Sequence, residues 1–297
     1  MHAAATVLLL REVEGELEVL MMRRGSGVSF MGGMWVFPGG RVDAADAAAA
    51  AHGRLLRPEG AAGRDRLQTL EGEPLPDEQE QALRVAACRE TFEEAGVLLA
   101  RDAQGRSCRA ETVSRLQALR GAVTGEAAAF VAMLEREDLY LDAHRLVYWS
   151  HWITPSLEPK RFDTRFFAIA LPTGQEVSAD LSELTHHAWI RPALAPEAIE
   201  RGEIRVVPPT LLTLEDLAES HARHGGLEAM LEAERGRAAP PVMPRIDVAA
   251  GAIRVVMPWD PGYAAVPGEG CRPPESYPAH LAQRRSCIVV PPSRESR

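Results

Sequence analysis

The sequence predicts an α/β fold, and three observations predict it. Two β-rich runs open the chain, over 6–13 and 17–23, joined by the turn signal Glu14-Gly15-Glu16. A well-marked helix occupies Asp77–Ala95, and two further β-rich runs lie over 145–153 and 161–171. Strands interleaved with helices, in 297 residues of which 46% are hydrophobic and 25% charged, describe a folded chain with room for a real core. The same balance excludes a disordered or fibrous chain.

Each element has a local reason. After the opening hairpin comes a Gly-rich stretch, 25–33, then the short apolar strand Met34-Trp35-Val36-Phe37. It stops at Pro38-Gly39-Gly40, where glycine tolerates positive φ. Residues 47–76 are rich in Ala, Gly, Arg and Pro with weak periodicity, and read as an insertion, partly helical over 47–56. The next helix starts with Asp77 as N-cap and Glu80 as its capping-box partner, and stops at Gly96. Helices are predicted over 110–119 and 126–136, and a short strand over 185–190 closed by Pro192. Two amphipathic helices fill 208–236, opened by Pro208-Pro209 and broken at Gly225-Gly226. Beyond 238 the chain is Pro-rich with one strand pair over 246–257. The expected division is one domain over 1–207 and a helical plus Pro-rich extension over 208–297.

Charge and composition narrow the partners. Lys+Arg of 33 against Asp+Glu of 42 gives a net charge of -9, without the basic footprint of a nucleic-acid binder. The apolar run over 3–10 falls short of the ~20 residues of a membrane span and lacks the charged start and cleavage site of a signal peptide. Cys88, Cys108, Cys271 and Cys287 form no C-x-x-C pair, so neither a disulfide scaffold nor a zinc site is expected. The C-terminal Ser296-Arg297 does not resemble the small-basic-leucine peroxisomal address. A cytoplasmic protein without nucleic-acid or membrane partners is the expectation.

Chemistry concentrates at the end of the 77–95 helix, in Arg89-Glu90-Thr91-Phe92-Glu93-Glu94-Ala95-Gly96-Val97. Residues three and four apart share a helix face, so Glu90, Glu93 and Glu94 project within one turn while Val85, Cys88 and Phe92 pack behind them. Like charges so placed repel by a few tenths of a kcal/mol, and the helix C-terminus adds roughly half a negative charge. An oxygen-rich site of this kind suits a hard divalent cation, Mg2+ or Mn2+. A solvated Glu-rich helix end is the competing reading, and it is the one given to Glu228, Glu232 and Glu234. Five fixed residues at about 6% usage each recur by chance in roughly one window per million, which favours the site.

The segment resembles the second half of the Nudix box, G-x5-E-x7-R-E-U-x-E-E-x-G-U with U bulky and aliphatic. Arg89, Glu90, Glu93, Glu94, Gly96 and Val97 fall in register, and Thr91 departs from U. The opening half is found instead at Phe37-Pro38-Gly39-Gly40-Arg41-Val42-Asp43, with Asp46 at the first acidic position, one methylene shorter than Glu. The box is thus split by the insertion, as in the subfamily that includes the peroxisomal coenzyme A diphosphatases. Ser29-Phe30-Met31, Trp152-Ile153-Thr154-Pro155, Arg161-Phe162-Asp163-Thr164-Arg165-Phe166-Phe167, Trp189, Pro192 and Pro208-Pro209-Thr210 look similar too.

That resemblance implies an α/β/α sandwich with a mixed sheet and a Mg2+- or Mn2+-dependent pyrophosphohydrolase of a nucleoside-diphosphate-linked substrate, best matched by coenzyme A or an acyl-CoA. ADP-ribose, a dinucleotide, a nucleoside triphosphate, or a non-catalytic nucleotide-binding module are the alternatives. Carried over by position, the metal set is Glu90, Glu94, Glu93 and a Gly39 carbonyl, and the catalytic set is Glu93, Arg89 and Glu183. Arg23, Arg161, Phe162 and Gly40 are the candidates for substrate contact. His186 and His187 face opposite ways on a strand, so at most one reaches a site. The partner expected is the small-molecule substrate, with a homodimer allowed.

Overall fold

The computed structural model describes residues 1–25, 32–51, 53–56, 67–178, 184–249, 252–272 and 274–290. Its centre is β1 (His2–Val13), whose apolar run is continuous because both of its faces are buried. Ala5, Val7 and Leu9 point to one core, Leu8 and Leu10 to another. In chain order follow β2 (Glu16–Arg24), β3 (Trp35–Val36), β4 (Gly39–Arg41), α1 (Ala44–Ala51), α2 (Asp77–Ala95) and β5 (Ala100–Asp102). Then come α3 (Ala110–Ala118), α4 (Ala127–Arg136), β6 (Leu139–Leu141), β7 (Val147–Ile153), β8 (Phe162–Ala170) and β9 (Leu184–Ile190). The remainder is α5 (Ala195–Glu200), α6 (Pro208–His224), α7 (Leu227–Ala233), β10 (Pro241–Val242), β11 (Arg245–Ala249), β12 (Ala252–Val256), α8 (Ala279–Ala282) and β13 (Cys287–Val290).

The main sheet is mixed, ordered β10-β7-β8-β1-β2-β3, with β4 on β1 and β9 on β2. β1 runs parallel to β8 from His2↔Phe162 to Leu10↔Ala170 and antiparallel to β2 and β4. Phe92, Phe130 and Leu134 from the α2–α4 side cover one face, and Leu212, Leu217 and Met230 from α6 and α7 cover the other. This is the expected α/β/α sandwich. The second core continues past the expected boundary at 207/208, because Val242, Met257 and Leu281 belong to it and β10 adds a strand to the sheet edge. β11, β12 and β13 form a separate three-stranded sheet, of which β13 had no sequence signal strong enough to predict it.

Two sequence expectations need correction. Pro76, not Asp77, occupies the N-cap of α2, which has no side-chain cap, and Glu80 instead bonds Arg84 at 3.0 Å along the helix. Pro76 is fixed in an extended conformation and ends the preceding segment. The second correction concerns the insertion, of which 57–66 lie outside the described residues. Its helix starts early, at Ala44, and its far end is core. Leu67 is 0% exposed, Leu75 closes back on Leu67 by a 2.8 Å backbone bond, and the buried Arg165 donates to the Gln68 carbonyl at 2.8 Å. Two leucines spaced to close a small loop hold more weight than the composition around them.

Among the described residues no helix is long and apolar enough to cross a membrane. The four cysteines are free. The buried arm gives a test. Leu67→Ala removes a fully buried side chain from the core under α2, and urea denaturation is expected to show a loss of about 2–5 kcal/mol. A change of only a few tenths would return the arm to the status of a surface loop.

Candidate active site

The site is assembled by three short pieces: the end of α2, the edge strand β4 and the first turn of α1. α2 ends where Gly96 adopts left-handed φ 69° and its N–H closes on the Phe92 carbonyl. That stop leaves Glu90, Glu93 and Glu94 in the last turns. Arg89, 4% exposed, lies among the acids. Its Nε and Nη2 donate to the two carboxylate oxygens of Asp46 at 2.8 and 3.0 Å, a bidentate pair. Its Nη1 donates to Glu90 at 2.9 Å and Glu93 at 3.0 Å, and Nη2 also reaches the Arg41 carbonyl at 3.0 Å.

Asp46 is the residue that sequence reasoning undervalued. It is fully buried, and besides Arg89 it accepts from the Asp43 backbone N–H at 2.7 Å, while Asp43 accepts from Ala45 N–H at 2.9 Å. This is a reciprocal capping box at the start of α1. The Asp43-x-x-Asp46 spacing was the signal that could have found it.

β4 supplies the floor. Gly40 stands opposite Ala5, and a Cβ there would lie 2.3 Å from Glu90 Oε1 and 2.4 Å from its Cδ. The Glu90 carboxylate therefore rests where any other residue would place its side chain. A Cβ on Gly39 would strike the Ala5 carbonyl at 2.3 Å. The Gly39 N–H donates to Glu94 Oε2 at 2.8 Å, and the Arg41 carbonyl turns to Arg89. Backbone groups alternate along an antiparallel strand, so the Gly39 carbonyl, like its N–H, points off β1. Glu90 over Gly40 and Glu94 on the Gly39 N–H both meet β4.

Electrostatics match that geometry. Burial, with the Glu93 and Asp46 charges, pushes the Glu90 carboxyl up to about 7 against the pull of Arg89. Burial alone would lower the Arg89 guanidinium, but the Asp46, Glu90 and Glu93 carboxylates hold it above its ordinary value. The cluster holds more acid than base, a donor set that suits a hard cation. Among the described residues no three His, Cys, Asp or Glu side chains are grouped as a ready metal cage. The Glu93 oxygens accept from Arg89 Nη1 at 3.0 Å and from Gly125 N–H at 2.8 Å.

The remaining candidates scatter. Arg161 donates to the Thr154 carbonyl and pairs with Glu269 of the C-terminal segment at 3.2 Å. Phe162 lies beside His2, ring centroids 6.1 Å apart, with Lys160 Nζ 5.5 Å from its ring. Arg23 is exposed near the end of β2, opposite Trp35 and His186. Glu183 and the Ser29-Phe30-Met31 stretch lie outside the described residues.

A model of the NUDT19 Nudix domain matches residues 2–217. Acyl-coenzyme A diphosphatase NUDT19 of Gallus gallus is 33% identical over 254 residues, covering 71% of this chain and 66% of that protein. The Homo sapiens protein of the same name is 32% identical over 225 residues, 67% of this chain and 60% of that one. The chain therefore spans somewhat under two thirds of the length of these relatives. A crystal structure of a NUDIX hydrolase from Alicyclobacillus acidocaldarius superposes with a TM-score of 0.61 at 28% identity, over 78% of this chain and 96% of that one.

Two outcomes are expected. Asp46→Asn leaves a buried guanidinium short of its charge partner and should lower stability by about 3–5 kcal/mol in urea titrations, with loss of under 1 kcal/mol removing Asp46 from its central place. The second follows from Glu90. Its folded value, about 7, lies above the ordinary 4.5, so its contribution is fully present below pH 4.5 and is lost as pH rises through 7. In EDTA, wild type should lose on the order of 3 kcal/mol of stability relative to Glu90→Gln between pH 5 and 8, and a pH-independent difference between the two would remove this role from Glu90.

Proposed function

The chain belongs to the family of the NUDT19 Nudix domain, within the Nudix hydrolases, and from that premise we propose that it is a metal-dependent pyrophosphohydrolase acting on coenzyme A or an acyl-CoA. The observation that carries the activity is the seat of Glu90 over Gly40, with Glu94 beside it on the Gly39 N–H. The substrate class is supported by the relatives named acyl-coenzyme A diphosphatase.

Glu90, Glu94 and the Gly39 carbonyl would hold Mg2+ or Mn2+. When bound, the cation supplies charge neutralisation at the P–O–P bridge and acidifies water. The chain's own residues do the rest. Arg89 fixes Glu90 against β4 and keeps Asp46, and with it α1, against α2. Gly39 lets β4 lie against β1, and Gly40 leaves room for the Glu90 carboxylate. Arg23 and Phe162 would contact the substrate beyond the diphosphate, the first as an exposed cation, the second as an aromatic face. Glu183 would take the proton of the attacking water. Water oxygen bonds to phosphorus as the bridging P–O bond breaks, leaving the phosphopantetheine and 3'-phospho-adenosine halves.

The test is a substrate panel with product masses, in Mg2+, in Mn2+ and in EDTA. Coenzyme A and acyl-CoA turnover exceeding that of ADP-ribose, dinucleotides and nucleoside triphosphates, and absent in EDTA, is expected. Preference for another diphosphate would replace the substrate class, and turnover in chelator would remove the metal. In the same assay Glu94→Gln should lose at least ~100-fold in kcat, the scale of a lost electrostatic stabiliser. Wild-type turnover by a well-folded Glu94→Gln protein would put the chemistry elsewhere.

A further inference from the structure

We infer that Arg165 is a positioning residue: backed by Asp163 and His151, it latches the far arm of the insertion to the central sheet and thereby sets the start of α2. This role rests on the activity proposed for the other end of that helix.

Asp163 and Arg165 lie on β8, away from the acidic cluster. Alternate residues of a strand share a face, so both point to the same side as Phe167, the side of the first core that α2 covers. On the neighbouring strand His151 stands opposite Arg165, and Ile153 opposite Asp163. His151 therefore joins them on that face. His151 and Arg165 are fully buried. His151 Nε2 lies 2.5 Å from Asp163 Oδ1, Arg165 Nη1 pairs with the same oxygen, and Arg165 Nη2 donates to the Gln68 carbonyl at 2.8 Å. Burial pushes the His151 imidazole down to about 4, so near pH 7 the ring is neutral and donates from Nε2 to the carboxylate. Burial would raise the Asp163 carboxyl, but His151 and Arg165 hold it below its ordinary value. The cluster is thus one carboxylate, one guanidinium and one neutral ring.

The Gln68 carbonyl belongs to a closed loop. Leu75 N–H closes on the Leu67 carbonyl at 2.8 Å, and Thr69 N–H closes on the Glu73 carbonyl at 2.8 Å. Gln68 Oε1 also accepts from Arg272 Nη1 at 3.4 Å. Pro76, the N-cap of α2, follows Leu75 directly. Holding Gln68 therefore holds the point where α2 begins. Thirteen residues separate Asp77 from Glu90, about 20 Å at 1.5 Å per residue. A tilt of roughly 3° about the helix start moves Glu90 by about 1 Å, a misplacement able to cost ~100-fold in rate.

Space-filling alone does not account for the cluster. His151 Nδ1 and Arg165 Nε have no partner among the described residues. Apolar side chains packed in place of a buried ion pair are often neutral for stability or better. What they cannot do is fix one N–H on one carbonyl. Direction, not stability, is what the guanidinium adds here.

The test compares wild type with the Asp163→Leu/Arg165→Met double variant, which removes the charges together, and with Arg165→Lys. Thermal melts, amide hydrogen exchange at Leu75 in EDTA, and kcat and KM for coenzyme A with Mn2+ are measured on each. The double variant should melt within about 3 °C of wild type. Its Leu75 exchange should accelerate about 10-fold or more, and its kcat should fall about 10-fold with KM within about twofold. Arg165→Lys keeps the charge on Asp163 with a shorter reach, and should fall between the two in exchange and in kcat. If the double variant does not fold, the Arg165→Lys values decide. Unchanged Leu75 exchange would overturn the latch. Faster exchange with wild-type kcat would overturn the positioning role, as would a large loss of melting temperature with kcat retained. A wild-type protein that hydrolyses no diphosphate would overturn the proposed activity and the positioning role with it, while Leu75 exchange still decides the latch.

Discussion

Everything at the end of α2 hangs on one buried guanidinium. Arg89 gives hydrogen bonds to Asp46, Glu90, Glu93 and the Arg41 carbonyl, and these join α1, α2 and β4 through a single side chain. The planar fork of five N–H donors is what makes this possible, and a lysine ammonium could not serve the same partners. Around it stand three carboxylates, so one positive charge is outnumbered before Glu94 is added. A cluster so constituted is tolerable in a buried place only if protons or a cation complete it. The upward push on the Glu90 carboxyl is the protein's response when a proton does so.

The two glycines set the other boundary condition. Gly39 lies against the backbone of β1 and Gly40 lies beneath a carboxylate, so both positions are closed to any side chain. Their placement depends on β4 pairing with β1, and the placement of the acids depends on α2 packing over the same strand. Neither requires the two halves to be contiguous in the chain. This is why a box split by some thirty residues still assembles: sheet register and the Arg89–Asp46 pair do the work that contiguity does elsewhere. The insertion in turn is no passive spacer, since Leu67 and Leu75 are built into the core beneath α2.

The legible part of this molecule is the part whose causes are local. α2 showed its bounds because Pro76 and Gly96 punctuate it, and its acids showed their shared face because 3.6 residues make a turn. The acidic motif and the glycine pair were visible for the same reason. What sequence could not separate was Glu93 from Glu94, because the difference is made by Gly125 and by Gly39, each far away in the chain. The pairing of Arg161 with Glu269 was not legible because the two are 108 residues apart. Asp46 showed only as an acid one methylene short of Glu, because the guanidinium that engages it enters from another helix. The short strands β10 and β13 escaped for a different reason: two or four residues carry no period.

The C-terminal segment follows from the sheet's own geometry. With β1 buried on both faces, the sheet needs a second helical layer, and α6 alone leaves the region over β7 and β8 bare. Residues beyond the family match at 217 complete it: Leu227, Met230 and Leu231 from α7 enter the second core, and Val242 of β10 pairs along the edge of β7. An unpaired edge at β7 would offer its backbone to other chains. Glu269 then ties this segment back to Arg161, at the start of β8, the strand that runs parallel to β1. Among the described residues beyond 217, this segment therefore contacts both β7 and the start of β8, and β8 is the strand that runs parallel to β1, on which β4 pairs.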